Sequence, residues 1–245
     1  MIQPKNDDIQ AARSYIRRRL AAENAMEHYL DRQLMKAAQE IVSLAYSMNI
    51  PPTMFSFEYD PVLSYKVRQI IARLNSLIEE YDITLALNTD KMDNKELSAY
   101  IFRDINGTTY SQRLNAYTNK FKSEMESFIK AGLIAGLSKS GLIDEIERTY
   151  KHPKQGSIIT EDVRKGFSSY GRLLMLTRHT IADAWMYADM EYYRKKGAIG
   201  FMTFRGSSYP CDICSDYAGR LHTFAEPYPP LHPNCVCYAV PIYKL

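Results

Sequence analysis

Tryptophan and cysteine are scarce in this sequence: one Trp and four Cys in 245 residues. All four cysteines fall between Cys211 and Cys237, so a disulfide framework spread through the chain is excluded. A long apolar run is also missing. The most lipid-like stretch, Phe128 to Leu137, is interrupted by Lys130 and falls short of the roughly 20 apolar residues that a membrane-spanning helix needs. The opening residues, MIQPKNDDIQ, have no apolar segment behind Lys5, so they do not read as a secretory signal and point to a start in the cytoplasm. Nor is there a large excess of one charge. A net charge of +3 is too small for nucleic-acid binding over the whole surface, though it leaves room for local basic patches.

Several catalytic signatures are absent as well. The chain has no H-E-x-x-H, no G-x-S-x-G and no P-loop pattern, so the common metalloprotease, esterase and nucleotide-hydrolase arrangements fail. Pro210-Cys211-Asp212-Ile213-Cys214 matches the P-C-x2-C half of the nucleic-acid deaminases. Those enzymes also need an upstream H-x-E to supply a ligand and a proton-shuttling Glu. None of His28, His152, His179, His222 and His232 has Glu two residues later. A thioredoxin-like use of C-x2-C needs a βαβ setting, and here the helical patterns lie on the wrong side of the motif. These readings point away from an enzyme.

What is present is mostly helical patterning, in a chain long enough to bury a proper core as one or two domains. Apolar residues at 46% and charged residues at 24% are ordinary for a globular protein. Ile16, Leu20, Leu30, Leu34, Ile41, Leu44 and Met48 recur at three- and four-residue steps, which predicts one amphipathic helix from about Ile9 to Met48. Pro51-Pro52 stops it. A second helix is expected from an N-cap at Asp60, with Pro61 in the first turn, to near Asp82. The polar run Asn88 to Lys95 reads as a loop, with helical periodicity again from Leu97 and from Leu114 to about Leu137. Gly132 and Gly136 in that last segment are expected to let two helices approach closely. After a short amphipathic segment, Leu142 to Tyr150, the turn residues His152 to Ser157 mark a boundary. A helix capped by Thr160, with Glu161 and Asp162 in its first turn, is then expected to run through Phe167, Leu173, Ile181, Trp185 and Tyr192 to Lys196, its first part interrupted at Gly166 and Gly171. Gly197 closes it in the left-handed conformation. Strands are expected at Ile199–Phe204 and Val236–Ile242. The organisation is therefore a helical assembly or interaction region, residues 1–150, followed by a Cys/His module, residues 151–245. Nineteen tyrosines suit wet interfaces, although ordinary core and surface use is the preferred reading. Arg17-Arg18-Arg19, Glu124-x-Glu126 and Glu145-x-Glu147 read as solvated helix faces, and Arg194-Lys195-Lys196 as a helix C-terminus.

The strongest chemical signal is Cys211-x2-Cys214 followed by His232-Pro-Asn-Cys235-Val-Cys237. Each cluster can place two sulfur or nitrogen donors on one ion, and tetrahedral zinc needs four. A saturated site leaves no position for water, so the expected zinc is structural. There is one donor more than four: Cys235 and Cys237 project to the same side of an extended segment and compete for the last position, with Cys235 preferred because H-x2-C mirrors C-x2-C. His222 is a further spare. The alternative is reduced cysteines packed in the core, or disulfides in an oxidised particle. The segment from Cys214 to His232 has three prolines and little apolar periodicity, so the metal is expected to be its main tether. The fold class that follows is mainly α, with a small C-terminal α+β module carrying a Cys/His zinc knuckle.

Arg178, Ala182 and Ala188 on a helix, Gly197, the strand to Phe204, Cys211-x2-Cys214, Gly219, and above all Pro229-Pro230-Leu231-His232-Pro233-Asn234-Cys235-Val236-Cys237 with Pro241 resemble the phage Mu F-like minor head proteins, or phage head morphogenesis proteins. The resemblance spans about Tyr170 to Tyr243, and would make residues 151–245 a Mu F-like C-terminal domain. Val236 departs from it, since the family usually has Arg there. The resemblance implies a minor structural protein of a tailed-phage head that works with the portal protein, and with major capsid or scaffold protein, in procapsid assembly. It also implies contact with packaged double-stranded DNA, no membrane partner, and a place in the capsid interior or near the portal, with the host cytoplasm as the site of assembly. The alternative is an ADP-ribosyltransferase-like phage toxin. That class wants an Arg, then a Ser-Thr-Ser-like strand, then E-x-E; here Arg205 and Ser207-Ser208 follow both E-x-E pairs.

Overall fold

In the computed structural model, which describes residues 4–151 and 168–244, the apolar spacing of the first fifty residues folds as one helix, α1 (Asn6–Tyr46). A 3-10 turn, Pro52–Met54, follows the proline pair. Asp60 then caps α2 (Pro61–Leu87), its Oδ1 accepting from the amides of Val62 and Leu63 at 2.8 Å each. This helix runs past Asp82, where the sequence reading ended it: Asp82 is fully buried and Ala86, one turn on, is buried too, so tertiary packing carries the helix through a residue of low helix propensity. Asp93 caps α3 (Asn94–Ile101). A reciprocal capping box of Thr109 and Gln112 opens α4 (Tyr110–Ile134), as the pairing of two orphan donors favours. The next helices are α5 (Lys139–Lys151) and α6 (Ser169–Lys195). The expected turn at His152 to Ser157, the Thr160 cap and the break at Gly166 lie outside the described residues. Gly171 does not break α6. It sits in the first turn, where its amide is taken by Ser168 Oγ at 3.1 Å.

The expected strands both form. β1 (Gly200–Phe204) and β3 (Tyr238–Ile242) are antiparallel, with Phe201 opposite Pro241 and Met202 opposite Val240. Pro241 is tolerated because β3 is an edge strand. A short helix, α7 (Asp212–Tyr217), precedes a two-residue strand, β2 (Leu221–His222), which pairs with the other side of β1. Neither was expected from the sequence; both are too short to show a period.

The chain forms two compact units. The first joins Met1–Glu27, Tyr81–Arg103 and Met175–Leu245; the second joins His28–Glu80 and Asp104–Leu174. Each therefore draws segments from both sides of residue 150. In the first unit, alternation along β3 serves two packing faces: Tyr238 and Val240 meet Ala12 and Ile16 of α1, while Ala239 and Phe201 meet Met186, Met190 and Tyr193 of α6. Trp185 is core, as its spacing implied, 2% exposed with its indole N–H on Leu85 O at 3.0 Å. Several tyrosines serve this interior: Tyr15 donates to Trp185 O and Tyr100 stacks on Tyr187. In the second unit, Phe57, Leu63, Val67, Phe121 and Phe128 are fully buried. The two glycines of α4 divide their roles. A Cβ on Gly132 would lie 2.8 Å from Leu142 of α5, so close helix approach is found there. Gly136, at φ +67, instead ends the helix in a left-handed cap, with Leu137 N–H on Gly132 O. The acidic pair of α4 is not a free solvated face: Glu124 accepts from Ser169 and Tyr150, and Glu126 from the Phe57 amide. Among the described residues no helix is long and apolar enough to cross a membrane.

One buried ion pair makes the first unit pH-sensitive. Asp189 is 2% exposed and paired with Lys91, whose ammonium also lies 4.2 Å from the Tyr15 ring centre and 4.7 Å from that of Tyr193. Burial outweighs the lysine and pushes the Asp189 carboxyl up to about 6. Because an unfolded Asp titrates near about 3.9, the native state holds a proton between about pH 4 and pH 6 that the unfolded state has lost. Stability should therefore fall as pH rises through that window and level off above it. Urea denaturation across the window should show this slope, and Asp189→Asn should remove it.

Candidate metal centre

Cys211 and Cys214 sit on the first turn of α7. Cys211 is its N-cap, its sulfur accepting the Cys214 amide at 3.5 Å. The other cluster is a tight turn in which the Cys235 amide returns to His232 O at 3.1 Å. Asn234 occupies the left-handed region there, at φ 62, a conformation Asn tolerates better than most side chains. Gly206 lets the loop after β1 reach this turn: a Cβ on it would fall 1.9 Å from Val236 O.

All five expected donors meet. Cys211, Cys214 and His232 form one group within which every pair of ligand atoms lies inside 4.8 Å; Cys214, Cys235 and Cys237 form another. Cys214 belongs to both. His232 Nε2 lies 3.3 Å from Cys211 Sγ and 3.0 Å from Cys214 Sγ. The other ring nitrogen, Nδ1, is 2.8 Å from Pro233 O. A carbonyl only accepts, so Nδ1 carries a proton there, which leaves Nε2, facing the sulfurs, as the nitrogen able to ligate, the way outer partners orient a ligating histidine. The Cys214 and Cys235 sulfurs are 3.8 Å apart, close to the edge of about 3.8 Å that a tetrahedral ion with metal–sulfur bonds of about 2.3 Å imposes. Cys237 shares a donor group with Cys214 and Cys235, and with Cys211, Cys214, His232 and Arg205 it lines a cavity of about 210 Å³. These groups can hold a metal ion.

The charges of the cluster are uneven without a metal. The Cys235 thiol is brought down to about 5, chiefly by the hydrogen bond from Cys237, whose own pKa is raised by the same contact. Burial pushes Cys214 up to about 12. The hydrogen bond from the Cys214 backbone lowers Cys211. The four cysteines are free of disulfides, and Cys214, Cys235 and Cys237 pack with Leu231 as a small buried cluster. A metal removes the cost of gathering thiolates in such a place.

His222 is not a spare ligand. It is buried in β2, with Nδ1 3.0 Å from Glu226 Oε2 and Nε2 3.0 Å from Tyr217 O. Its neighbourhood corrects the expectation that the segment from Cys214 to His232 has little besides a metal to hold it. Glu226 accepts from the Thr223 amide and hydroxyl, and Phe224 packs against the cluster around Phe201. Such side-chain-to-backbone contacts leave no apolar period to read.

The sequence reading missed Arg19. Of the three consecutive arginines, Arg17 and Arg18 are exposed as expected, but Arg19 is fully buried. Its Nη2 donates to Cys235 O at 2.9 Å. Its Nε lies 3.0 Å from Glu23 Oε1, close enough for charge pairing, and Glu23 is also met by Arg178 at 3.5 Å. Burial pulls the Arg19 pKa down, and Glu23, Cys235 and Cys237 support its charge. Burial likewise raises Glu23. Within a run of arginines the buried one has no local signal. Comparison with protein-family models, with curated proteins and with solved structures gives no match.

Breaking a buried pair strands the surviving charge, at a cost of about 3–5 kcal/mol. Arg19→Met should therefore lower stability to denaturant on that scale, while Arg17→Met, on the exposed face, should stay within about 0.5 kcal/mol. Equal small effects of the two would remove Arg19 from the support of the Cys235 loop.

Proposed function

We propose that the chain is a minor structural protein of a tailed-phage head, acting with the portal and with capsid or scaffold protein during procapsid assembly, and that its Cys/His centre is a structural zinc site. The observation that carries this reading is the convergence of the segment Pro229–Cys237, on which the resemblance to Mu F-like minor head proteins rests, with Cys211 and Cys214 in two donor groups that share Cys214. The zinc is held by Cys211, Cys214, His232 and Cys235, with Cys237 beside it. Four donors leave no open position, so the ion secures the fold rather than performing chemistry. On this reading the chain acts as an interaction component and not as an enzyme, within the virion near the portal.

Elemental analysis of protein purified without added metal should find about one zinc per chain, with zinc–sulfur distances near 2.3 Å. Cys214→Ser should lose the metal and sharply lower the melting temperature, while Cys237→Ser should retain it. Absence of zinc, with all four thiols alkylated in the native protein, would leave the cysteines as core residues.

The assembly role has its own test. Co-expression with the cognate portal and scaffold should carry the protein into assembled shells at a position near the portal. Any contact with packaged DNA should weaken steeply with salt, because phosphate contacts release counterions. Release of nicotinamide from a dinucleotide substrate, abolished by Arg205→Ala, would replace this reading with the toxin-like one.

A further inference from the structure

The second unit carries an open groove with a volume of about 740 Å³, formed by α1 and α2 and distant in sequence from every residue of the metal centre. Its floor is apolar. Leu44 and Ile70 are half-buried, and a smaller recess lined by Ala37, Leu74 and Leu77 continues it along the same two helices. The rim carries Lys36, Lys66 and Arg73 against one acid, Glu40, which is engaged by Arg73. The lining thus bears three positive charges and one negative, and both lysines are exposed. Beyond one end of the groove, earlier on α2, Val62 and Tyr65 are 53% and 59% exposed, so apolar surface extends outside it.

We propose that this groove is a docking site for an amphipathic helix of another protein, with an apolar stripe for the floor and acidic residues for the rim. Length and charge decide the occupant. From Lys66 to Leu77 the groove follows α2 for about 16 Å, which accommodates about three turns of helix. Apolar residues at i, i+3 or i+4 and i+7 on that length match a floor made by two helices. The excess of lysine and arginine on the rim selects acidic flanks and repels basic ones. The same charges argue against a second copy of this chain: in a two-fold contact each patch faces itself, setting Lys36, Lys66 and Arg73 against their own like.

The test uses the full chain and two synthetic peptides of about 14 residues, a length that spans the groove. Both carry the same leucine stripe; one has glutamate and the other lysine at the flanking positions. Fluorescence anisotropy should show saturable binding of the glutamate peptide, with at least about ten-fold weaker binding of the lysine peptide, as rim charge complementarity requires. Binding should weaken as salt screens the rim. Ile70→Asp should remove binding, and the double change Lys36→Glu with Lys66→Glu should reverse the preference between the peptides. The two lysines are exposed, so the double variant should melt like the parent chain and remain informative if Ile70→Asp is destabilised. Equal binding of both peptides, no binding of either, or no change in the double variant would overturn the proposal. So would a dimer of the parent chain that is lost in the double variant, since the groove would then be a self-contact.

Discussion

A buried cation ties the two ends of the sequence together. Arg19 lies on α1 and the carbonyl it holds belongs to Cys235, more than two hundred residues later. An arginine fully out of water is costly unless every part of its charge is met. Here Glu23 on the same helix, Arg178 on α6 behind it, and the cysteine-bearing turn ahead of it form one set of mutual obligations. Replacing Arg19 by an apolar residue would take from the buried Glu23 its nearer partner. The turn that presents His232 and Cys235 is therefore held from beneath by α1 as well as by its own local geometry.

That arrangement gives the centre two kinds of support. One is electrostatic and hydrogen-bonded: the Arg19 contact, the Pro233 carbonyl that sets the His232 tautomer, and the Glu226 bonds that fasten the segment leading to the cluster. The other is steric, since Gly206 allows one backbone to pass against Val236 with no room for a side chain. Donor atoms placed this way meet a metal with less rearrangement than donors on a loose loop, so less of the binding free energy is spent on ordering chain. The oversupply of sulfur follows from the same geometry, because two cysteines two residues apart in extended chain face one side together.

Features with a local cause were legible in the sequence. The three-and-four spacing of α1, the Asp60 cap, the closure at Gly197 and the two longer strands each depend on residues within a few positions of one another. Gly197 has φ +81, as a left-handed cap requires. The five donors were legible for the same reason. What escaped has a distant cause. Asp82 stays helical because of tertiary packing, Glu124 is claimed by Ser169 forty-five residues away, and Arg19 differs from its two neighbours only in the direction it faces. The pairing of chain segments into two units also depends on which faces meet across the sequence, and no composition shift marks it.

The make-up of the first unit has a kinetic side. Its core sets Ala12 and Ile16 against Tyr238 and Val240, so these two residues wait for those partners until nearly the whole chain is present. The second unit, built from residues between 28 and 174, is complete long before that point on the ribosome. Contacts so distant in sequence close slowly and leave apolar surface waiting. The apolar face of α1 around Ala12 and Ile16 is thus the part of the nascent protein most in need of protection until β3 arrives.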